Sequence, residues 1–417
     1  MGDVDHLNDI INNQVEVFLK EIAEEEGFET YKIEKAPGSM KGDGYLGAIT
    51  AVYVIGKISS GEEKTLHLIV KTASKSDAVR VEAPLADVYE REIYMYKTVI
   101  PAFHRLEKER NLSRSLNSAK CYKACMVEKN EALIFENLKV SGYSVWEKGI
   151  PMKHDHVSLV MSDYGRFHAM SLAMRDQEPE RFKNLTRSMH DIFDKFMEKA
   201  DFTKMFVNQC RKALKSLDPV ADKKSYNTFK KFIDEKLEVF FTNMAQYVDD
   251  YSVILHGDCH SNNMMFKYED KDNPQKPTNL CLIDLQISRL GPSVFDLSYF
   301  LYACSSKEVL DNHKLYLNIY YEKLSLYLKK LGSNPDKVYP HAIFQEQWKK
   351  YSKFGLICSM VLIHMLVSKQ DEVIDFTDIT ESGQSLVDAF NYDIENLEVY
   401  NNRVRDVILH FVDNEYI

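Results

Sequence analysis

Two aspartates and an asparagine stand at the ends of short apolar runs in this chain. Ile254-Leu255-His256-Gly257-Asp258 leads an apolar strand into a tight polar loop, Cys259-His260-Ser261-Asn262-Asn263, and Leu282-Ile283-Asp284-Leu285-Gln286 delivers a second aspartate further on. Phosphoryl transfer needs such a set: a carboxylate to orient the attacking hydroxyl, and oxygen ligands to hold magnesium on the phosphates. Asp258, Asn263 and Asp284 can fill all three positions. The plain alternative is that Asp, Asn and Gly stand here as turn formers at strand ends. Either fragment alone leaves that alternative open, and the two together weigh against it. Cys259 and His260 flank Asp258 but lack the further ligands or base that a metal site or a nucleophile would require.

The elements that must position these residues follow from hydrophobic period. Leu7, Ile11, Val15, Phe18 and Ile22 recur at helical spacing, and Gly27 supplies a stop, so the chain opens on an amphipathic helix. Ala51 to Gly56 and Thr65 to Thr72 read as two strands joined through Ser59-Ser60-Gly61-Glu62. In the second strand, Leu66, Leu68 and Val70 share one face by the two-residue period, and His67, Ile69 and Lys71 share the other. Lys71 therefore ends a strand facing away from its apolar neighbours. Residues 85–100 return to helical spacing, closed by Pro101, and Ala132 to Phe135 is another short strand leading to Glu136-Asn137-Leu138. Beyond about residue 155 the pattern is long helices, interrupted by strands at Ser252 to Leu255 and Leu280 to Leu285. A mixed first part joined to a mainly helical second part is an α+β arrangement, with the lobe boundary expected between 136 and 142.

Composition narrows the class without naming a substrate. The 417 residues are 45% hydrophobic and 28% charged with a net charge of -10, an ordinary globular balance that argues against a basic nucleic-acid face. The seven cysteines are odd in number and scattered, unlike a disulfide framework, which fits a reducing, cytoplasmic setting. Cys121 and Cys125 have no second pair or histidine partner at zinc spacing. No export signal, lipid anchor or membrane span is indicated, and the apolar run from Phe354 to Val367 reads as a buried core helix. The oligomeric state is not written in any of these features.

The pattern His-Gly-Asp-x-x-x-x-Asn followed by Ile-Asp-Leu-Gln resembles the signature shared by aminoglycoside phosphotransferases, choline kinases and their relatives. The narrower resemblance is to the ecdysteroid kinase-like group of insects. It is carried by Leu68-Ile69-Val70-Lys71, Glu90-Arg91-Glu92-Ile93-Tyr94-Met95-Tyr96 leading to Pro101, Phe135-Glu136-Asn137-Leu138, Gly165-Arg166-Phe167-His168-Ala169-Met170-Ser171, and Asn262-Asn263-Met264-Met265-Phe266-Lys267-Tyr268. These stretches occur in the family's order from about residue 38 to 305. The resemblance implies a protein-kinase-like two-lobed fold. Residues 1–138 would form an N-terminal helix and a small β-rich nucleotide-binding lobe, and residues 139–417 a larger, mainly helical lobe with the catalytic loop, metal site and substrate site.

It implies, further, an ATP- and Mg2+-dependent kinase that phosphorylates a hydroxyl of a small, lipophilic, steroid-like alcohol such as an ecdysteroid. Asp258 would be the catalytic residue, and Asn263 and Asp284 the metal ligands. Lys71 would contact nucleotide phosphates, fixed by Glu92. The stretch 41–47, Gly44 included, would cover the phosphates, and Glu136 and Leu138 would border the adenine. His256 and Asp296 would shape and brace the catalytic loop. Asn137, Gly47 and Leu285 depart from the family's usual Asp, Ser and Phe. Tyr299, Phe300, Tyr302, Phe354, Leu356 and Met360 are candidates for an apolar substrate wall, each also readable as plain core. Two alternatives remain: a choline- or aminoglycoside-type kinase for a cationic alcohol, and a non-catalytic ligand-binding protein with a kinase fold, which would have no need of the full set of charged residues.

Overall fold

A computed structural model describes residues 13–38, 46–113, 116–270, 276–373 and 375–417. Leu7 and Ile11 of the expected opening helix lie outside the described residues, but its remainder is helix α1 (Asn13–Glu25), and Gly27 follows at a φ of 82°. Strands β1 (Phe28–Pro37), β2 (Gly47–Ile58), β3 (Glu63–Ala73), β4 (Cys121–Cys125) and β5 (Ala132–Glu136) form one antiparallel sheet in the order β1-β2-β3-β5-β4. The two-residue period of β3 sorts its side chains as the sequence predicts. Leu68 and Val70 are fully buried in a cluster with Val52, Val54 and Ile134, and Val15, Leu19 and Ile22 of α1 close that face. Burying side chains of this size contributes about 1.5–3 kcal/mol each, which ties the helix to the sheet. His67, Ile69 and Lys71 are left for the opposite face.

Between β3 and β4 runs helix α2 (Leu85–Tyr94), a single π-helical turn over Met95–Val99, and helix α3 (Ile100–Glu109). The expected stop at Pro101 is corrected: the helical path continues through it. Proline lacks an N–H, and here it falls in the first turn of α3, just after the hydrogen-bond ladder has changed register, so no bond of a continuous α-helix is broken.

After Glu136 the chain leaves the five-stranded sheet. Strand β6 (Tyr143–Val145) pairs with β8 (Met264–Tyr268) beside β9 (Pro277–Leu282), and the short strands β7 (Val253–Ile254) and β10 (Leu290–Gly291) pair with each other. The rest is helix, including α4 (His154–Gln177), α5 (Val294–Cys304), α6 (His313–Leu331) and α7 (Lys353–Val367). Every residue of α5 is buried, and α7 packs against it so closely that a Cβ on Gly355 would stand 2.3 Å from the Ser298 carbonyl oxygen. The chain is thus a mixed α+β protein with a small sheet-based lobe and a larger helical one. Among the described residues no single helix is long and apolar enough to cross a membrane. The bent pair His341–Tyr351 and Lys353–Val367, angled at 50°, passes by length and composition only, and its second half is core.

The helical lobe buries several histidines whose charged form burial disfavours, four of them strongly. The pKa is pushed down to about 4 in His156, His313 and His364 and to about 3 in His410. The unfolded chain binds protons at these residues below about pH 6.5, while the folded chain does not until about pH 4. Stability is therefore complete above pH 6.5 and falls as pH drops through that window, by about 1.4 kcal/mol per pH unit for each proton taken up on unfolding. Urea midpoints at pH 7.0, 5.5 and 4.5 should decline accordingly, and a flat series would contradict the burial of these rings.

Candidate active site

The loop after β7 is held from both sides. Asp296, in the first turn of α5, accepts from the backbone N–H of His256 at 2.7 Å and of Gly257 at 3.0 Å. His168 of α4 bonds the same carboxylate at 3.2 Å and meets Tyr320 at 3.0 Å on its other ring nitrogen. Burial works to raise the pKa of Asp296, and the bonds from His168 and the backbone outweigh it, leaving it lowered. His256 is fully buried. Its Nδ1 accepts from the Asp258 N–H at 3.2 Å, so the proton sits on Nε2, 2.9 Å from the Ile283 carbonyl. Burial depresses its pKa, so it is neutral and serves as a rivet between the two site loops.

That scaffold presents the Asp258 carboxylate. Oδ1 accepts the Tyr299 hydroxyl at 2.6 Å; Oδ2 accepts the Asn263 amide at 3.0 Å and faces His260 Nε2 at 3.4 Å. Burial would raise its pKa, but His260, Tyr299 and His256 together hold it well below the usual carboxylate range. For His260 burial and the Asp258 charge oppose each other, and Asp258 wins, raising its pKa. Gly257 has a φ of 91°, and a Cβ there would lie 2.4 Å from the Ile287 carbonyl oxygen. Gly257→Ala is expected to cost about 1–3 kcal/mol in backbone strain alone. A thermal unfolding midpoint equal to that of the parent would show the loop tolerates a side chain.

Lys71 is the hub of the opposite wall. Its ammonium donates to Glu92 of α2 at 2.7 Å, to Asp284 at 2.6 Å and to Gln286 at 3.2 Å, with the Tyr89 ring 5.9 Å away. Burial would lower its pKa, and the Asp284 and Glu92 carboxylates reverse that and raise it. Burial pushes Glu92 up, against the pull of Lys71. Asp284 does not sit on a strand as the apolar run to Leu285 predicts. β9 ends at Leu282, and Asp284 takes a left-handed φ of 64°, which turns its carboxylate out of the sheet toward Lys71. The strand expected at Ser252 to Leu255 likewise shortens to Val253–Ile254, because the backbone must leave the ladder to enter the loop.

The two proposed metal ligands are neighbours, since the Asn263 carbonyl accepts the Ile283 N–H at 3.0 Å. Asn263 spends its amide N–H on Asp258, which turns Oδ1 outward, and Asp284 commits Oδ1 to Lys71. Among the described residues no donor occupies Asn263 Oδ1 or Asp284 Oδ2. Two hard oxygens, one of them anionic, suit magnesium, which takes one or two carboxylates and fills its other positions with phosphate oxygens and water.

Of the remaining predicted residues, Gly44 lies outside the described residues. Glu136 accepts the Lys120 N–H at 2.7 Å, and among the described residues no group accepts the Leu138 N–H. The departure at Gly47 has a physical reason: a Cβ there would stand 2.0 Å from the Thr72 carbonyl oxygen and 2.8 Å from the Tyr89 hydroxyl. The apolar wall is corrected. Phe300, Tyr302, Phe354, Leu356 and Met360 are at most 1% exposed and belong to the helical core around α5 and α7; of the six candidates only Tyr299 reaches the site, through its hydroxyl. Sequence reasoning also missed Gln286 on Lys71, His168 on Asp296, and buried Arg91, which donates to the carbonyls of Ser288, Ser188 and His190 and fastens α2 to the segment after Asp284.

An antiparallel sheet whose lysine is pinned to a helix glutamate, set over a helical lobe that offers an aspartate, an asparagine and a second aspartate, defines a kinase-like fold. Within that class the chain belongs to the ecdysteroid kinase-like family, whose family model matches residues 41–333. No curated protein matches it. Among solved structures it is similar to glucosamine kinase in two crystal forms, at 8% identity and a TM-score of 0.28 in each. Those matches cover 90% and 92% of this chain and 91% and 95% of the other.

Proposed function

We propose that this chain transfers the γ-phosphoryl group of ATP, with magnesium, to a hydroxyl of a small lipophilic alcohol of the ecdysteroid type. The observation that carries the reaction class is the convergence of five charged or polar side chains from distant parts of the sequence: Lys71 joins Glu92 to Asp284, and Asn263 joins Asp284's loop to Asp258. A binding protein has no need of that assembly. Membership of the ecdysteroid kinase-like family supports a small-molecule kinase and is the support for the acceptor class.

In this reading the small lobe binds nucleotide and the helical lobe presents the acceptor. Lys71 neutralises phosphate charge, Glu92 keeps it in place, and the free Leu138 N–H borders the adenine. Asn263 and Asp284 hold magnesium, which would supply charge neutralisation on the transferring phosphates. Asp258, kept ionised by its neighbours, accepts a hydrogen bond from the acceptor hydroxyl and aligns it; most of the rate enhancement comes from positioning and charge stabilisation. With the expected apolar wall found in the core, a cationic alcohol remains the competing acceptor. Incubating the protein with ATP, magnesium and a panel of ecdysone, cholesterol, choline and glucosamine, then detecting a mass gain of one phosphate, tests both. Phosphorylated ecdysone supports the reading, phosphorylated choline or glucosamine replaces the acceptor, and no product with any alcohol and no ATP binding returns the chain to a ligand sink.

A further inference from the structure

The Asp258 carboxylate is already nearly saturated, and the residue that leaves it one opening is Tyr299. An ionised carboxylate offers about four lone-pair directions, two on each oxygen. Asn263 and His260 crowd Oδ2, whereas Oδ1 carries the single bond from Tyr299 at 2.6 Å. Tyr299 is only 5% exposed, and its place is set by the same helix that braces the loop. Asp296 and Tyr299 stand one turn apart on one face of α5: the first fixes the loop backbone and the second fixes the side chain that the loop presents. Phe354 of α7 leans on the tyrosine ring at 6.1 Å, and the contact of Gly355 with Ser298 sets the spacing of the two helices.

We infer that Tyr299 is a positioning residue for the acceptor: it shares Asp258 Oδ1 with the incoming hydroxyl and so dictates the one direction from which an alcohol can approach. This rests on the kinase reading above. Two donors on one oxygen, each at about 2.7 Å and about 120° apart, lie about 4.7 Å from each other, so the tyrosine hydroxyl stands directly beside the acceptor oxygen. In the transfer, the acceptor oxygen bonds to the γ-phosphorus as the bond from that phosphorus to the bridging oxygen breaks. ADP leaves with the electron pair, and the acceptor proton passes by way of Oδ1 to solvent. Removing the tyrosine hydroxyl opens a second direction on Oδ1, where water or a misaligned alcohol can be held instead.

The variant Y299F keeps the ring and loses only the hydroxyl. It should bind ATP as the parent does and lower kcat for the alcohol that the parent phosphorylates, by roughly 10- to 100-fold, a moderate share of what a mispositioned acid-base group costs. It should also raise the ratio of free phosphate to phosphorylated alcohol several-fold, which a loss of folded protein cannot do. In a D258N background the same change should cost almost nothing further, because the shared oxygen's role is already lost. Near-native turnover, an unchanged phosphate-to-product ratio, or costs that multiply in the double variant would each overturn the inference while leaving the kinase reading intact. A parent protein that phosphorylates none of the panel alcohols would overturn both.

Discussion

Asp258→Ala is expected to lower phosphoryl transfer by about 10²- to 10⁴-fold, the range that loss of a positioned acid-base group brings, with ATP affinity nearly unchanged. The separation follows from geometry. Asp258 bonds Tyr299, Asn263 and its own loop, and none of its contacts reaches Lys71, Glu92 or Asp284. Alanine leaves the Tyr299 hydroxyl without an acceptor in a buried site and the Asn263 amide with only the backbone carbonyl of residue 258, so some loss of stability accompanies the loss of rate. Asp258→Asn refines the test. It preserves shape but offers an NH2 group to one of two donors, so it should lose most of the rate with less loss of stability. Transfer measured by product mass and nucleotide binding measured by titration read the two effects apart. A variant with near-native turnover would remove Asp258 from the mechanism.

The parts of this fold that sequence pattern made legible are those where period and burial coincide. Strands β2, β3 and β5 lie inside the sheet and carry alternating or continuous apolar residues, and α7 is apolar throughout. β1 and β4 were illegible for a common reason. Both are edge strands, and charged Glu29, Lys32, Glu34 and Lys35 in the first and the short Cys121-Tyr122-Lys123-Ala124-Cys125 in the second leave no apolar run to detect. The site divides in the same way. Asp258 and Asp284 follow strands and Asn263 immediately precedes one, so local sequence marks them, while His168, Arg91 and Tyr299 arrive from helices through tertiary packing and look like ordinary core or surface residues. One signal was available: once Asp296 is taken to face the catalytic loop, helical spacing places Tyr299 on that same face one turn later.

The ion pair between Lys71 and Asp284 gives the two lobes a direct link through the cleft. β3 belongs to the five-stranded sheet and Asp284 to the loop beyond β9, so the 2.6 Å contact spans the boundary, and Arg91 adds a second tie from α2 to the carbonyl of Ser288. In the proposed reaction, a nucleotide entering this cleft would bring phosphate oxygens to an ammonium that is already shared between two carboxylates. Glu92 is the partner that can stay, being 2% exposed on a helix packed against the sheet. Asp284, at 26% exposure and in a left-handed turn, is the one free to redirect an oxygen toward a cation.

That asymmetry makes Asp284→Asn the sharper test of the metal assignment. The substitution keeps size and shape but replaces the anionic oxygen that a hard cation prefers with a neutral amide. The magnesium concentration needed for half-maximal ATP binding should rise by at least roughly 10-fold, in line with what disturbing a metal site costs, and transfer should fall with it. Magnesium-free ATP should respond in the opposite direction. A carboxylate beside the phosphate-binding lysine also repels phosphate charge, so removing it should tighten binding of the bare nucleotide. Lys71, which retains Glu92, remains available to those phosphates. A change that merely damaged the fold would weaken both forms together. Magnesium titrations of ATP binding, run beside titrations in EDTA, therefore separate the cases: divergence of the two affinities supports Asp284 as a metal ligand, and an unchanged magnesium dependence shows that the cation is held by other oxygens.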